Sequence, residues 1–180
     1  EHFQAALSAE KMLKKTPVGE YDEVLQKGNM PDSYRPTLFD FVAYDALAFY
    51  QSGEQAAAKP QDAFELSAAG PIFAPAREFI AWEPETTDED SPKLKAAQLY
   101  QELLKFHQDD QDQAAFLDAN LARLVYGYNT AFGEEKNARM KAAMERFVDR
   151  WGDHPISARA RYRWAKVLQD EDDLVAAHRM

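Results

Sequence analysis

His107 is followed within five residues by Asp109, Asp110 and Asp112, an imidazole and three carboxylates in the run HQDDQD. Such groups can ligate a divalent cation when a loop gathers them. A calcium loop also needs its ligands in a fixed order and a glycine at the sharp turn, and this run has neither. We therefore read it as a solvated helix end. The acidic run at 170–173, DEDD, is read in the same way, as a polar turn between helices. The four histidines are His2, His107, His154 and His178; none forms a His-x-x-x-His pair or a Glu-x-x-His step with suitable companions.

Nucleophilic chemistry is as thinly supplied. The chain has no cysteine, which excludes disulfides, thiolate nucleophiles and cysteine-based zinc sites. There is no Gly-x-Ser-x-Gly elbow. Gly127 and Gly133 are isolated, and neither precedes the Lys-Ser or Lys-Thr pair of a phosphate loop. Carboxylate pairs of the glycosidase kind are brought together by the fold, so sequence spacing does not reveal them. Arg159, Arg161 and Arg163 alternate, which spreads their charges around a helix. Arg159 and Arg163 share a face that can grip an acidic partner or join a salt-bridged surface. No catalytic, cofactor-binding or metal-ligating residue is assigned, and the chain is read as a non-enzyme without a cofactor.

Composition narrows the partners. The balance of 31 acidic to 21 basic residues gives a net charge of −10. Nucleic acid demands a basic footprint, and an anionic membrane surface selects cations, so neither suits this chain. The acids are scattered over many faces, which serves solubility. A 46% hydrophobic and 12% aromatic content supports a packed core in 180 residues. No apolar run approaches the roughly 18 residues that would span a bilayer. The first residue is Glu1, from which a removed leader or a piece of a longer chain is expected.

The elements that must carry these residues are helical. HFQAALSAEKMLKK, residues 2–15, places Phe3, Ala6 or Leu7, and Met12 or Leu13 on one face. A second short helix is expected over EYDEVLQKGN, residues 20–29, stopping at Gly28 and Asn29. In YRPTLFDFVAYDALAFY, residues 34–50, Pro36 disfavours helical geometry at Arg35, and Thr37 with Asp40 three residues on reads as a capping box. Phe39, Val42, Ala46 and Phe49 follow at three- and four-residue steps, and Leu38, Phe41 and Tyr50 widen the stripe. Rings so spaced are packing residues of a central helix. Residues 51–92 are broken by prolines and glycines. Pro75 is placed at the first position of a short helix carrying Phe79, Ile80 and Trp82, and ETTDEDSP, residues 85–92, reads as an acidic linker. Phe73, Phe79 and Trp82 are read as core anchors, not a ligand site. Four helices should follow: 93–107, 113–132, 138–151 and 157–169.

A repeat underlies the last of these. Ala143, Phe147 and Pro155 show Ala-x3-Phe-x7-Pro spacing, Trp164, Ala165 and Leu168 follow, and Ala177 lies 34 residues after Ala143 (177 − 143). Such a period of roughly 34 residues marks tetratricopeptide helix pairs, in which small residues admit close helix approach. Arg150 departs from the pattern. Ala96, Tyr100 and Leu103 take similar roles at an offset of 47 residues (143 − 96). Ala177 should open the second helix of its pair, so the chain is expected to continue past Met180.

The expected fold class is all-α: antiparallel helix hairpins, tetratricopeptide-like or α-solenoid in the C-terminal half, with a long proline-containing connection in the middle. Residues 1–54 form an N-terminal helical lobe, 55–92 an irregular connection packed on the helices, and 93–180 truncated tetratricopeptide-like pairs; one continuous domain is the alternative.

RPTLFDFVAYDALAFY, FAPAREFIAW, the acidic linker, AAQLYQELLKFHQDDQD and FLDANLARL, in that order, resemble the helical N-terminal region of large bacterial alpha-2-macroglobulin-like proteins of the Bacteroidetes type. The resemblance runs from about residue 24 to the end. It implies an exported protein, periplasmic or at the cell surface, held to the membrane only through an anchor outside this chain. Macroglobulin domains would follow, and the full-length protein would trap and inhibit proteases. The Cys-Gln thioester of many members has no counterpart in a chain without cysteine. The implied role of residues 1–180 is a noncatalytic scaffold whose partners are its own macroglobulin domains, proteases or an envelope protein. The alternative is a free-standing periplasmic tetratricopeptide-type adaptor that binds a peptide or a secretion-machinery partner. An all-helical enzyme is a third reading.

Overall fold

Thr37 starts the best-defined helix of the N-terminal half by closing a capping box: its hydroxyl accepts from the Asp40 N–H at 3.4 Å, and Asp40 Oδ2 accepts from the Thr37 N–H at 2.9 Å. The computed structural model describes residues 2–52 and 61–180. Its described residues are helical, without a strand, in the order α1 His2–Leu7, α2 Glu10–Leu13, α3 Leu38–Gln51, α4 Ala76–Ile80, α5 Pro92–His107, α6 Ala114–Thr130, α7 Lys136–Trp151, α8 Ser157–Asp170 and α9 Leu174–His178. Short 3₁₀ turns lie at Val18–Tyr21, Asp32–Tyr34 and Pro71–Phe73. The expected all-α class is what the chain forms, and its helix-on-helix packing has the character of a helical repeat.

Two compact units divide the chain, residues 1–64 with 84–119, and residues 65–83 with 120–180. They are interleaved, whereas the lobes read from the sequence are consecutive. In the first unit α3 packs on α5, and α1 and α2 pack on α3. Ala43 and Ala46 on α3 and Ala96 and Ala97 on α5 are fully buried, small residues that permit close approach. Phe39 meets Phe106 edge-on at 5.6 Å between centroids. The core stripe of α3 is Phe39, Ala43, Ala46 and Leu47. Phe49 is 41% exposed, rotated out of the stripe expected for it, and packs on Phe3 at 5.4 Å.

Two helical expectations fail in this unit. Residues 2–15 do not form one helix. The Ser8 hydroxyl donates back to the Ala5 carbonyl at 2.6 Å, and the backbone turns at Ala9 between α1 and α2. Residues 20–29 form no α-helix. A 3₁₀ turn covers only Val18–Tyr21, and the Lys27 ammonium then bridges Asp22 at 2.5 Å and Asp32 at 2.7 Å. So short a helix needs an apolar face to pack, and Val24 is 74% exposed.

In the second unit α7 packs on α8, and α8 on α9. Met140, Ala143, Met144 and Phe147 bury the inner face of α7, at steps of three and four residues. On α8 the buried residues are Ser157, Ala160, Val167 and Leu168, while Trp164 and Ala165 are half-buried. The four helices expected after residue 92 lie within two residues of their expected ends. Pro75 caps α4 from outside the helix rather than opening it. Phe73 and Phe79 are buried as expected, and Trp82 is half-buried just beyond α4. The polar stretch at 51–62 lies mostly outside the described residues. The acidic linker is tied down: Asp88 Oδ2 accepts from the Phe64 N–H at 3.0 Å, and the Thr87 hydroxyl donates to Asp62.

Candidate functional site

His107 ends α5, and it is not solvated. The expectation of a hydrated helix end is overturned at this residue: it is 1% exposed and sits between two carboxylates. Its Nε2 lies 2.7 Å from Asp40 Oδ1, and its Nδ1 lies 2.6 Å from Asp110 Oδ2. Asp40 is itself 1% exposed and shares its other oxygen between the Thr37 N–H and the Thr37 hydroxyl, the latter at 2.8 Å. A single linked chain, Thr37–Asp40–His107–Asp110, thus joins the start of α3 to the end of α5. Burial, the largest single influence, pulls the His107 pKa down. Hydrogen bonds and charge from Asp40 and Asp110 outweigh it, and the net shift is upward. The reading as a solvated helix end holds for Asp109 and Asp112. Both are exposed, and Asp112 Oδ1 accepts from the Ala114 N–H at 2.9 Å, at the start of α6.

A second polar cluster gathers Tyr44, Arg35 and Asp118. The Tyr44 hydroxyl donates to Asp118 Oδ2 at 2.9 Å, and Arg35 Nε stands 3.7 Å from the same oxygen. The Arg35 guanidinium lies 3.7 Å from the centre of the Tyr44 ring. Burial first, and then the Asp118 charge, raise the Tyr44 pKa well above the usual phenol range. Burial likewise pushes Tyr100 up to about 12, and its hydroxyl accepts from the Gln51 side-chain amide at 3.1 Å. Neither phenol is poised to act as a base near neutrality.

In the second unit two arginines hold three successive carbonyls. Arg123 on α6 donates to the carbonyls of Ile72 at 3.0 Å and Ala74 at 2.9 Å, and Arg146 on α7 donates to that of Phe73 at 2.6 Å. Arg123 is 1% exposed, bonds Asn120 Oδ1 at 2.5 Å and stacks 4.8 Å from the Phe79 ring centre. Burial, and then the Arg146 charge, lower its pKa to about 9, which still leaves it cationic at neutral pH. With the Ala74 N–H donating to the Pro71 carbonyl at 2.9 Å, the 3₁₀ turn has a donor for each of its carbonyls, which an irregular buried segment requires. Sequence reading passed over this pair. An arginine inside the apolar helix pattern LDANLARLVYGY was the available clue.

The remaining sequence candidates are dispersed. Arg161 donates to Ser157 Oγ at 3.0 Å, while Arg159 and Arg163 are both exposed on α8. The 170–173 run is a turn: Asp172 takes a left-handed φ of 62°, Asp173 Oδ1 caps α9 through the Ala176 N–H at 3.0 Å, and Glu171 pairs with Lys141 at 2.5 Å. Among the described residues no group of three or more histidines and acids is placed to hold a metal ion. No described helix is long and apolar enough to cross a membrane. A hollow of 220 Å³ in the first unit has Leu7, Phe39, Tyr50 and Leu99 among its lining residues, with Glu10 and Lys95 beside them.

Some large apolar side chains also stand open on the last two helices. Tyr162 on α8 is 60% exposed, and Leu174 and Val175 on α9 are each 64% exposed. Arg159, Arg163 and Lys166 accompany Tyr162 on the outer side of α8. Large apolar side chains grouped on adjoining helices are the ordinary material of a protein-contact surface. Comparison of the chain with family models, with curated proteins and with solved structures finds no match in any of the three.

Proposed function

We propose that residues 1–180 are a noncatalytic helical scaffold at the N-terminus of an exported alpha-2-macroglobulin-like protein, docking to protein through the α8–α9 edge. The observation that carries the docking role is the exposure of Tyr162, Leu174 and Val175 on two helices packed side by side. The buried polar groups support the same reading. Asp40, His107, Asp118 and Arg123 each make a hydrogen bond that joins one element to another. The placement in an inhibitor rests on the resemblance of residues 24–180, and there the contact edge would seat macroglobulin domains. In that setting the protein is periplasmic or at the cell surface, and the full-length form traps proteases.

The test is association in trans. Residues 1–180 are titrated calorimetrically against the remainder of the native polypeptide, expressed separately. Saturable binding that Leu174→Glu with Val175→Glu weakens by about tenfold or more supports the proposal. The absence of binding counts against it. A native polypeptide that ends shortly after Met180 points instead to the free-standing adaptor, for which the same edge would receive a peptide.

A further inference from the structure

With Asp40 and Asp110 ionised, only the doubly protonated ring of His107 satisfies both of its contacts. Its two ring nitrogens lie 2.7 Å and 2.6 Å from carboxylate oxygens. An ionised carboxylate only accepts, so both contacts are attractive only while each nitrogen carries a hydrogen, and the neutral ring has just one. The two partners are not equivalent. The Asp40 side chain is 1% exposed, and its second oxygen is held by Thr37; the Asp110 side chain is 41% exposed and can take up water once released. The Nδ1 side is therefore the one that gives way.

We propose that His107 is a proton-operated latch on the turn between α5 and α6. As imidazolium it clamps Asp110 and closes residues 108–113. When the Nδ1 proton leaves for solvent, Asp110 swings out to water, while Nε2–H keeps its bond to Asp40 and the start of α3 stays capped. The turn's other ties are modest: the Asp110 N–H reaches the His107 carbonyl at 3.2 Å, the Gln113 side-chain amide reaches the Asp110 carbonyl, and Asp112 caps Ala114. The charged groups around the ring are Asp40 from α3 and Asp110 from the turn. The Lys14 ammonium, just past α2, lies 4.5 Å and 5.0 Å from the ring centres of the neighbouring residues Phe39 and Phe106. Two anions in direct contact outweigh one cation held at the flanking rings, in line with the raised pKa of the imidazole. The latch depends on this geometry alone and stands whether or not the docking role holds.

The imidazole nitrogens are followed by long-range ¹H–¹⁵N NMR across pH, together with amide hydrogen exchange. His107 should remain doubly protonated above its ordinary value of 6.5 and then lose Nδ1–H, keeping the Nε2–H tautomer. In the same transition the amides of residues 110–113 should exchange faster than base catalysis alone explains, while those of α3 do not. Asp110→Asn keeps the capping box and should move the transition to lower pH. Titration at or below the ordinary value, loss of Nε2–H first, or turn amides indifferent to the transition would each overturn the latch.

Discussion

Taking His107 out of water penalises its charged form, and the fold answers with two carboxylates; Arg123, just as deeply buried, is answered by carbonyl and amide oxygens instead. The histidine makes stability depend on pH. Its folded pKa stands above the ordinary 6.5, so its contribution is fully present below that value and is lost as pH rises through the raised folded one. Denaturant midpoints measured from mildly acidic to mildly alkaline pH should fall across that window, and His107→Asn should flatten the fall. An unchanged slope in the variant would assign the pH dependence to other groups. Gly127 gives a second prediction at this scale. A Cβ there would lie 2.5 Å from Ile72 Cγ1 and 3.3 Å from the Phe73 ring, both buried side chains. Alanine ordinarily improves a helix by about 1 kcal/mol over glycine. Here overpacking should win, and Gly127→Ala should destabilise by about 1–3 kcal/mol. Adding Ile72→Ala should recover part of that loss in a double-mutant cycle.

Elements with strong local instructions were legible in the chain. Thr37 and Asp40 mark the start of α3, and four long amphipathic stretches mark α5 to α8, because capping and periodicity are local properties. Thr37→Ala should cost about 1 kcal/mol by thermal or chemical denaturation. It should also loosen Asp40 and so weaken the His107 linkage. The misread segments are those where a tertiary or side-chain choice decides. Ser8 turning back on Ala5 breaks the first helix, and Lys27 bridging two aspartates replaces the second. The repeat register is testable through α7. Ala143 is 3% exposed on the buried face, and Ala143→Trp should overpack it and destabilise by about 1–3 kcal/mol. Melting identical to the parent would show that the register is wrong.

At the scale of the molecule, a net charge of −10 and an all-helical chain were readable from composition and pattern. The division into two interleaved units was not, because it depends on which helices the middle segment packs against. The polar clusters were hidden for the same reason. His107 meets Asp40 across 67 residues of sequence, and Arg123 meets Ile72 across 51, separations that no local window joins. The proposed role rests on the exposed apolar side chains Tyr162, Leu174 and Val175 of α8 and α9. The measurement closest to that central claim is the sequence of the native reading frame downstream of Met180. Strand-rich macroglobulin domains are predicted there; a stop codon within the next few tens of residues would contradict the placement of this chain at the head of a protease-trapping inhibitor.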